Sequence, residues 1–461
     1  MKKLLFFTAI CLLPSAFCLS QNINITLVGQ LSYGAEELSN IWGWKSPVDG
    51  KEYALVGAAD GLSIVDVTIP SAPVQIVQIP GPSSQWREIR TNGNYAYVTT
   101  ESGTIGLQIV DLTNLPATNL ATATWTPTIN TQVLETIHAL QIDNGKVYLY
   151  GSNVGGGGAV IADINTTPMS PVYLGSYDTG GYIHDGYVRN DTMYAGHIWA
   201  GEVEIVNLTN PASGVPIGLF QTPGAFTHNT WLSKDSKTCF TTDEVDGAYL
   251  AAYDISNLGN ITLLDTIQSN PGSSSIPHNT YIVNKFGIDY AVTSWYKDGL
   301  TIVDASNPSN LVQVGNYDTS PAMSGGGYGG CWGVYPFLPS GIILASDIEL
   351  GLFVLNSVHL YNGVNESAAE NSQVNVYPNP FSTSATVEVN SPLINGAKGD
   401  VTFKMFDVFG KEVYRSRITA HRLLITRGNL SSGIYFYQII SPSLSGEGRG
   451  KVIATGKLCV E

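Results

Sequence analysis

Hydrophobic and polar residues alternate in one short segment that recurs seven times in the first 360 residues. Each copy is a strand-like apolar run that ends in Asp or Asn, as in GLSIVDV at 61–67 and GLTIVDA at 299–305. The terminal residues of the copies are Asp66, Asp111, Asp163, Asn207, Asp254, Asp304 and Asn356. They are separated by 44 to 52 residues, a period that is typical of a β-propeller with one repeat per blade.

Each repeat divides further into four predicted strands, which we name A to D. In the second repeat the pattern predicts strand A at 88–91, B at 95–99, C at 106–112 and D at 120–125. Asn92-Gly93 separates A from B, and this dipeptide is a strong hairpin signal because tight two-residue turns favour residues that accept positive φ. The sequence therefore predicts an all-β fold, a seven-bladed propeller of four-stranded blades.

The two ends of the repeat array predict how the ring closes. The last repeat stops after strand C at Leu355, whereas ITLVGQLSY at 25–33 has the pattern of an isolated strand D. We expect this N-terminal strand to complete the seventh blade, because pairing the chain ends removes an exposed sheet edge.

The regions flanking the repeats predict the domain organisation. Met1-Lys2-Lys3 and the apolar run that follows indicate a signal peptide at 1–20, with a lipoprotein cut at Cys18 as the weaker alternative. The propeller is then 21–364, a polar linker is 365–373, and a second domain is 374–461. Alternating apolar residues such as Phe403 and Met405 predict a small β-sandwich there. We expect a secreted or surface-exposed monomer without a transmembrane segment.

Charge is distributed unevenly between the two domains. Residues 21–373 hold 31 Asp and Glu against 10 Lys and Arg, whereas 374–461 hold 6 acidic and 10 basic residues. The acidic propeller would repel phosphate, so nucleic acid is excluded as a partner. Cations or polar, sugar-like ligands suit this charge better.

The C-terminal domain resembles a known export domain. VNVYPNPF at 374–381, Asp-x-x-Gly-Lys at 407–411 and LSSGIYFYQI at 430–439 follow one another in order. The set is similar to the type A C-terminal sorting domain of the type IX secretion system. The resemblance implies that the type IX machinery is a partner and that the tail is removed at or near the linker. An ordinary adhesion-like sandwich is the alternative.

The propeller also resembles a family. LSNIWGW at 38–44, YIHDG at 182–186, THNTWLSKD at 227–235 and HNTYIV at 278–283 are similar to motifs of the choice-of-anchor B family of LVIVD-repeat surface proteins. The resemblance implies a propeller that reaches the cell surface through a separate C-terminal device. It implies no established activity, so function has to be argued from the residues.

Histidine and tryptophan recur at one position of the repeat. When the repeats are aligned on their A–B turns, strand A opens with Trp42, Trp86, His138, His184, His228, His278 and Trp332. Strand A is the innermost strand of a propeller blade. We therefore expect these side chains to face one another at the mouth of the central channel.

Acidic residues are predicted on the same rim. The B–C hairpins supply Asp243 and Glu244, while Glu88 and Asp185 follow the position that opens strand A. Neutral imidazole beside carboxylate is the ligand set of a divalent transition metal. One divalent metal ion is thus predicted on His138, His184, His228 and His278, with support from Asp185, Asp243 and Glu244. The alternative is that these histidines only pack and hydrogen-bond.

Two classes of function remain open from the sequence. The favoured one is a non-enzymatic surface module that binds a glycan or a protein, with Trp42, Trp86 and Trp332 as stacking surfaces. The other is a metal-dependent extracellular hydrolase or lyase, with Asp185 or Glu88 as the general base. No cofactor other than the metal ion is predicted.

Overall fold

The computed structural model describes residues 22–178, 181–360, 374–389, 401–407, 411–418, 422–441 and 451–461. The predicted signal peptide at 1–20 and the predicted linker at 365–373 lie outside these residues. The chain divides into two compact units, Met1–Tyr361 and Asn362–Glu461, and each is described by itself. Among the described residues, no helix is long and apolar enough to cross a membrane.

The first unit is a seven-bladed β-propeller, as predicted, and each blade is a four-stranded antiparallel sheet. Blade 1 contains β2 (Leu38–Lys45), β3 (Glu52–Ala58), β4 (Gly61–Asp66) and β5 (Val74–Pro80). Blade 2 contains β6 (Ile89–Asn92), β7 (Tyr95–Val98), β8 (Leu107–Asp111) and β9 (Thr122–Trp125). A small hairpin of β10 (Thr128–Ile129) and β11 (Gln132–Val133) precedes blade 3.

Blades 3 to 6 follow the same order of strands. Blade 3 contains β12 (Ala139–Asp143), β13 (Lys146–Tyr150), β14 (Ala159–Asp163) and β15 (Val172–Tyr177). Blade 4 contains β16 (Asp185–Arg189), β17 (Thr192–His197), β18 (Glu202–Asn207) and β19 (Val215–Gln221). Blade 5 contains β20 (Thr227–Leu232), β21 (Thr238–Asp243), β22 (Leu250–Asp254) and β23 (Thr262–Ile267). Blade 6 contains β24 (Pro277–Lys285), β25 (Ile288–Trp295), β26 (Gly299–Asp304) and β27 (Val312–Tyr317). Short 3-10 helices occupy Gly155–Gly157 and Tyr296–Asp298 in two B–C connections.

Blade 7 is built from both ends of the propeller chain. It contains β28 (Cys331–Tyr335), β29 (Ile343–Asp347), β30 (Gly351–Ser357) and, as its outer strand, β1 (Ile25–Leu31). Strand β1 is antiparallel to β30, with Ile25 opposite Ser357 and Leu31 opposite Leu352. Ile25 is buried in an apolar cluster with residues of blades 6 and 7.

Turn residues of the repeat have the conformations that their types favour. In the A–B turn of blade 3, Asn144 and Gly145 have φ of 48° and 72°, the left-handed region that a two-residue hairpin requires. The residue that ends strand C accepts a hydrogen bond of 2.9 Å from the backbone N–H two residues later. The pairs are Asp66 with Thr68, Asp111 with Thr113, Asp163 with Asn165, Asn207 with Thr209, Asp254 with Ser256 and Asp304 with Ser306. The recurring Asp therefore stabilises the C–D turn.

The second unit has two antiparallel sheets. One contains β31 (Val374–Tyr377), β32 (Ser384–Val389) and β35 (Arg422–Thr426). The other contains β34 (Glu412–Arg417), β33 (Thr402–Phe406), β36 (Gly433–Ser441) and β37 (Lys451–Val460). Both sheets contribute to one apolar core that includes Val387, Phe403, Met405 and Ile425. This is the small β-sandwich that the alternating pattern predicts.

The closing strand can be tested by removing one buried side chain. Ile25 is 3 % exposed, so Ile25→Ala should lower the free energy of unfolding by about 2–4 kcal/mol through lost burial and a residual cavity. Ile23, two residues earlier, is 50 % exposed, and Ile23→Ala should cost less than about 0.5 kcal/mol. Urea denaturation followed by tryptophan fluorescence measures both. Equal costs would contradict the role of β1 in the core.

Candidate functional site

The seven A strands form an inner circle around the channel. Each of β2, β6, β12, β16, β20, β24 and β28 contacts the A strands of the two neighbouring blades. Because side chains alternate along a strand, every second residue of strand A faces the channel. The channel is therefore lined by successive layers, with one residue from each blade in each layer.

A β-bulge at the start of strand A turns one additional side chain inward. In blade 5, Thr227 pairs with Asp243 and Asn229 pairs with Thr242, which leaves His228 as the extra residue. In blade 4, Gly196 lies opposite Asp185, and its carbonyl oxygen also accepts a hydrogen bond from the N–H of His184. Two residues of strand A thus face one residue of strand B. Bulges re-aim side chains and recur beside functional sites. Here the bulge brings the histidines to the channel mouth.

The residues at this bulge position are Ser39, Arg87, His138, His184, His228, His278 and Trp332. The prediction that Trp42 and Trp86 share the position was wrong. Trp86 lies one residue before Arg87, and Trp42 lies three residues after Ser39. Asn40 and Glu88 are equivalent, because each follows the bulge residue of its blade. The turn glycine Gly50 lies ten residues after Asn40, but Gly93 lies only five residues after Glu88. An alignment on the A–B turns therefore pairs residues that are not equivalent at the start of strand A.

The three predicted tryptophans occupy different environments. Trp42 lies inside the channel, with its ring 4.3 Å from the Arg90 guanidinium carbon and 4.6 Å from the Tyr335 ring. Trp86 is 42 % exposed at the mouth. Trp332 is buried, with its ring 5.2 Å from that of His278. Trp42 is thus a packing residue of the channel, and only Trp86 offers a broad exposed surface.

The four predicted histidines form a continuous row. Successive ring centroids lie 4.0 Å apart for His138 and His184, 4.6 Å for His184 and His228, and 4.2 Å for His228 and His278. Burial lowers the pKa of His184, His228 and His278, to about 3 in the case of His278. Neighbouring imidazoles lower the pKa values further, because adjacent positive charges repel. These three rings are neutral at physiological pH.

His138 differs from the other three histidines because it has an acidic partner. Its Nδ1 is hydrogen-bonded to Oε1 of Glu101, a B–C hairpin residue of blade 2. Burial alone would lower the pKa of His138, but the hydrogen bond and the charge of Glu101 together raise it.

Glu244 lies between two of the neutral histidines. Its carboxylate oxygens are 3.8 Å from Nε2 of His228 and 3.8 Å from Nε2 of His278. Oε1 also accepts a hydrogen bond of 2.7 Å from the Tyr296 hydroxyl. Burial raises the pKa of Glu244 to about 7. Ligand atoms of His184, His228 and Glu244 all lie within 4.8 Å of one another.

Asp243 does not join this group, contrary to the prediction. Its oxygens accept hydrogen bonds from the Thr222 hydroxyl and from the backbone N–H groups of Gly224, at 2.9 Å, and Phe226, at 3.0 Å. The side chain therefore stabilises the loop that connects strand D of blade 4 to strand A of blade 5. Adjacent residues at the end of a strand point in different directions, so the neighbour Glu244 faces the histidines instead.

A layer of acids and amides lies directly below the histidines. Glu88 is buried and bonded to Arg90 and to the Asn40 amide. Asp185 accepts hydrogen bonds of 2.7 Å from the Asn229 amide and 2.7 Å from the Gly186 N–H. Burial raises the pKa of both carboxyl groups, and Arg90 opposes that effect.

Arg90 lies in the next layer of the channel, beside aromatic side chains, and its guanidinium group bonds Glu88 in the acidic layer. The aromatic layer comprises Trp42, Tyr187, Trp231, Tyr281, Tyr335 and the neighbouring Phe337. Sequence reasoning missed Arg90, although it lies two residues after Glu88 and therefore faces the same way along strand A.

A small cavity of about 20 Å³ lies among these layers. Its lining includes Trp86, Glu88, His138, Asp185, His228, His278 and Trp332. A space of this size holds one water molecule or one ion. Seven of the predicted site residues therefore line one cavity, whereas His184, Glu244, Trp42 and Asp243 do not line it.

Comparison with known proteins assigns both parts of the chain. The LVIVD repeat matches residues 48–78, 86–125 and 289–319, and the secretion system C-terminal sorting domain matches residues 375–452. The propeller thus contains LVIVD repeats, and a C-terminal sorting domain follows it. These matches are consistent with the resemblance to the choice-of-anchor B family. The sorting domain implies engagement with the type IX secretion system and places the LVIVD-repeat propeller outside the cell or on its surface.

Solved structures are similar to this chain at low sequence identity, and one of them has a TM-score above 0.5. One is an extracellular domain assigned to a hybrid two-component system of B. thetaiotaomicron, with a TM-score of 0.52 and 13 % identity over 96 % of this chain and 60 % of that one. Another, assigned to a one-component system of the same organism, has a TM-score of 0.49 and 10 % identity over 95 % and 59 %. The chain thus spans about 60 % of the length of the structures it matches. Curated protein sequences give no significant match.

The buried ion pair of the LVIVD-repeat propeller can be tested against an exposed one. Arg90→Leu leaves two buried carboxylates without their cation and should destabilise the protein by about 3–5 kcal/mol. Lys51 bonds Asp66 at 3.1 Å but is 38 % exposed, so Lys51→Met should cost less than about 1 kcal/mol. Denaturant midpoints measure both. The double variant Glu88→Gln, Arg90→Leu should regain part of the loss, and no recovery would contradict the pairing.

Proposed function

We propose that this extracellular propeller is a non-enzymatic binding module that holds one divalent transition-metal ion at the mouth of its channel. The ligands in this proposal are His184, His228 and Glu244. The observation that carries it is the convergence of two imidazoles and a partly buried carboxylate within 4.8 Å. Two histidines and a carboxylate form a common ligand set for zinc and for other first-row metals.

The protonation state of the two imidazoles supports metal binding, whereas Glu244, with its pKa raised to about 7, loses its remaining proton when the ion binds. Metal ligands must be neutral imidazole and ionised carboxylate, and His184 and His228 are neutral because burial lowers their pKa values. Both rings also have a buried Nδ1 atom without a hydrogen-bond partner. An unsatisfied buried polar atom costs about 1–3 kcal/mol. A metal ion that binds the nitrogen lone pair of such a ring would offset this cost and stabilise the protein.

The distances are also compatible with an ion. Zinc–nitrogen bonds are about 2.0–2.1 Å, so two nitrogen ligands of one ion lie at most about 4.2 Å apart. The group spans up to 4.8 Å. Side-chain rotations that move the ligand atoms by less than about 1 Å therefore complete the coordination. Nε2 of His278 lies 3.8 Å from Oε1 of Glu244, whereas His228 is nearest to Oε2. His278 can therefore orient the carboxylate.

Binding is favoured over hydrolysis by the room and the bonding around the site. The space of about 20 Å³ beside His228 accommodates one ion or one water molecule. Glu88 and Asp185, the general bases expected from the sequence, already accept hydrogen bonds from Arg90, Asn40, Asn229 and Gly186.

Metal uptake tests the proposal directly. The secreted protein, stripped with a chelator and dialysed, should take up about one equivalent of Zn²⁺ by elemental analysis and gain thermal stability. The variant His184→Gln, His228→Gln should lose this uptake. His197→Gln is the matched control, because His197 lies at the same end of the propeller but bonds Glu204 at 3.3 Å. Equal uptake by the double variant, or no uptake by the wild type, would exclude the site.

A hydrolase is the second candidate, and the Glu101–His138 pair is the observation that favours it. A carboxylate that holds one imidazole nitrogen leaves the other free to exchange protons, as in many acid–base catalysts. We expect zinc-loaded protein to hydrolyse the activated ester p-nitrophenyl acetate no faster than zinc-loaded His138→Gln. A zinc-dependent rate that Glu101→Gln reduces about 100-fold would instead establish the hydrolase.

A further inference from the structure

Basic residues are segregated to one end of the propeller. The mouth end consists of the D–A connections and the B–C hairpins, and in residues 22–178 and 181–360 it carries only Arg87 and Lys297 as basic residues. The basic residues of the opposite end are Lys45, Lys51, Lys146, Arg189, Lys234, Lys237 and Lys285. Acidic residues occur at both ends, so the mouth end is the strongly negative one.

Both basic residues of the mouth end already have partners. Arg87 is buried and donates to the carbonyl oxygens of Ala58, at 2.8 Å, and Pro82. The Lys297 ammonium donates to the carbonyl oxygen of Gly326. By contrast, acidic side chains such as Glu37, Asp60 and Glu349 are exposed at this end. A cation that approaches the mouth therefore meets carboxylates and little competing positive charge.

Three exposed aromatic side chains lie on the same end. Trp86 is 42 % exposed, Trp199 is 71 % exposed and Tyr328 is 62 % exposed. Trp199 belongs to the B–C hairpin of blade 4, and its ring is held edge-on against Phe226 at 5.5 Å. Tyr328 is held against Tyr296 at 5.3 Å. Tryptophan and tyrosine that are exposed but fixed in place are typical of protein contact surfaces.

We propose that the mouth end docks an extended, lysine- or arginine-rich segment of a partner protein. Charge complementarity selects the partner, because an acidic surface attracts basic chains and repels acidic ones. The exposed rings of Trp86, Trp199 and Tyr328 accept ammonium and guanidinium groups over their faces. This proposal goes beyond the metal site and does not rest on it: Trp86 borders the cavity, but neither the exposed carboxylates nor the three rings are proposed metal ligands.

Peptide binding to the full secreted chain, measured with a chelator present, tests the docking surface. The probes are fluorescein-labelled peptides of eight lysines, eight arginines and eight glutamates, followed by fluorescence anisotropy. Both basic peptides should bind at low salt, and their affinity should fall as ionic strength rises. The acidic peptide should not bind.

Two charge variants with the same change in net charge locate the surface. Glu37→Gln, Asp60→Asn, Glu202→Gln removes three negative charges at the mouth end, where no side-chain hydrogen bond of these residues is broken. Val48→Lys, Ile69→Lys, Phe286→Lys adds three positive charges at the opposite end, where the native side chains are 78 %, 65 % and 82 % exposed. The first variant should weaken binding of the basic peptides about tenfold. At 0.15 M ionic strength the second should weaken it less than about twofold, since a Debye length of about 8 Å screens charges at the opposite end.

The aromatic contribution has its own variant. Trp86→Ala, Trp199→Ala should weaken the arginine peptide about fivefold to tenfold without changing net charge, because each cation–π contact is worth about 0.5–1 kcal/mol at an exposed site. Absence of binding, equal weakening by the two charge variants, or tight binding of the acidic peptide would each overturn the proposal. Failure of zinc uptake would leave these results unchanged, so the two proposals fail separately.

Discussion

The antiparallel pairing of β1 with β30 is the constraint on which the propeller depends. Without it, blade 7 would have three strands and an unpaired edge, and the ring would remain open between its first and last blades. The row from His138 to His278 spans four successive blades. Its spacing of 4.0 to 4.6 Å between ring centroids requires that all seven A strands be held on one closed circle.

Closure also explains the chemistry of the channel. Each layer collects one side chain per blade in a narrow space, so like groups are forced together and separated from water. Histidines occupy the mouth, carboxylates and amides lie below them, and Arg90, in the aromatic layer that follows, compensates the acids. Each layer is stable only because the next one supplies the missing charge or hydrogen bond. The repeated Asp of strand C has no share in this, since it stabilises turns at the other end.

The sequence predicts the fold far better than the site. Seven spaced strand patterns, turn dipeptides and an orphan N-terminal strand are local signals, and the structure contains the elements they indicate. The site depends on register, which local signals specify poorly. Because the A–B connections differ in length, the sequence alignment placed Trp42 at the wrong position. The bulge that turns each histidine inward is not marked by any characteristic residue type in the sequence. Likewise, the neighbours Asp243 and Glu244 look equivalent in sequence but face a loop and the histidines, respectively.

The origin of blade 7 has a consequence for the order of events during export. Strand β1 pairs with a strand that lies more than 300 residues later in the chain. The ring therefore cannot close until the chain has been synthesised as far as Ser357. The sorting domain follows that point. Any chain that contains the complete sorting domain therefore also contains every strand of the propeller. A chain interrupted within the propeller lacks both the strand that pairs with β1 and the sorting domain.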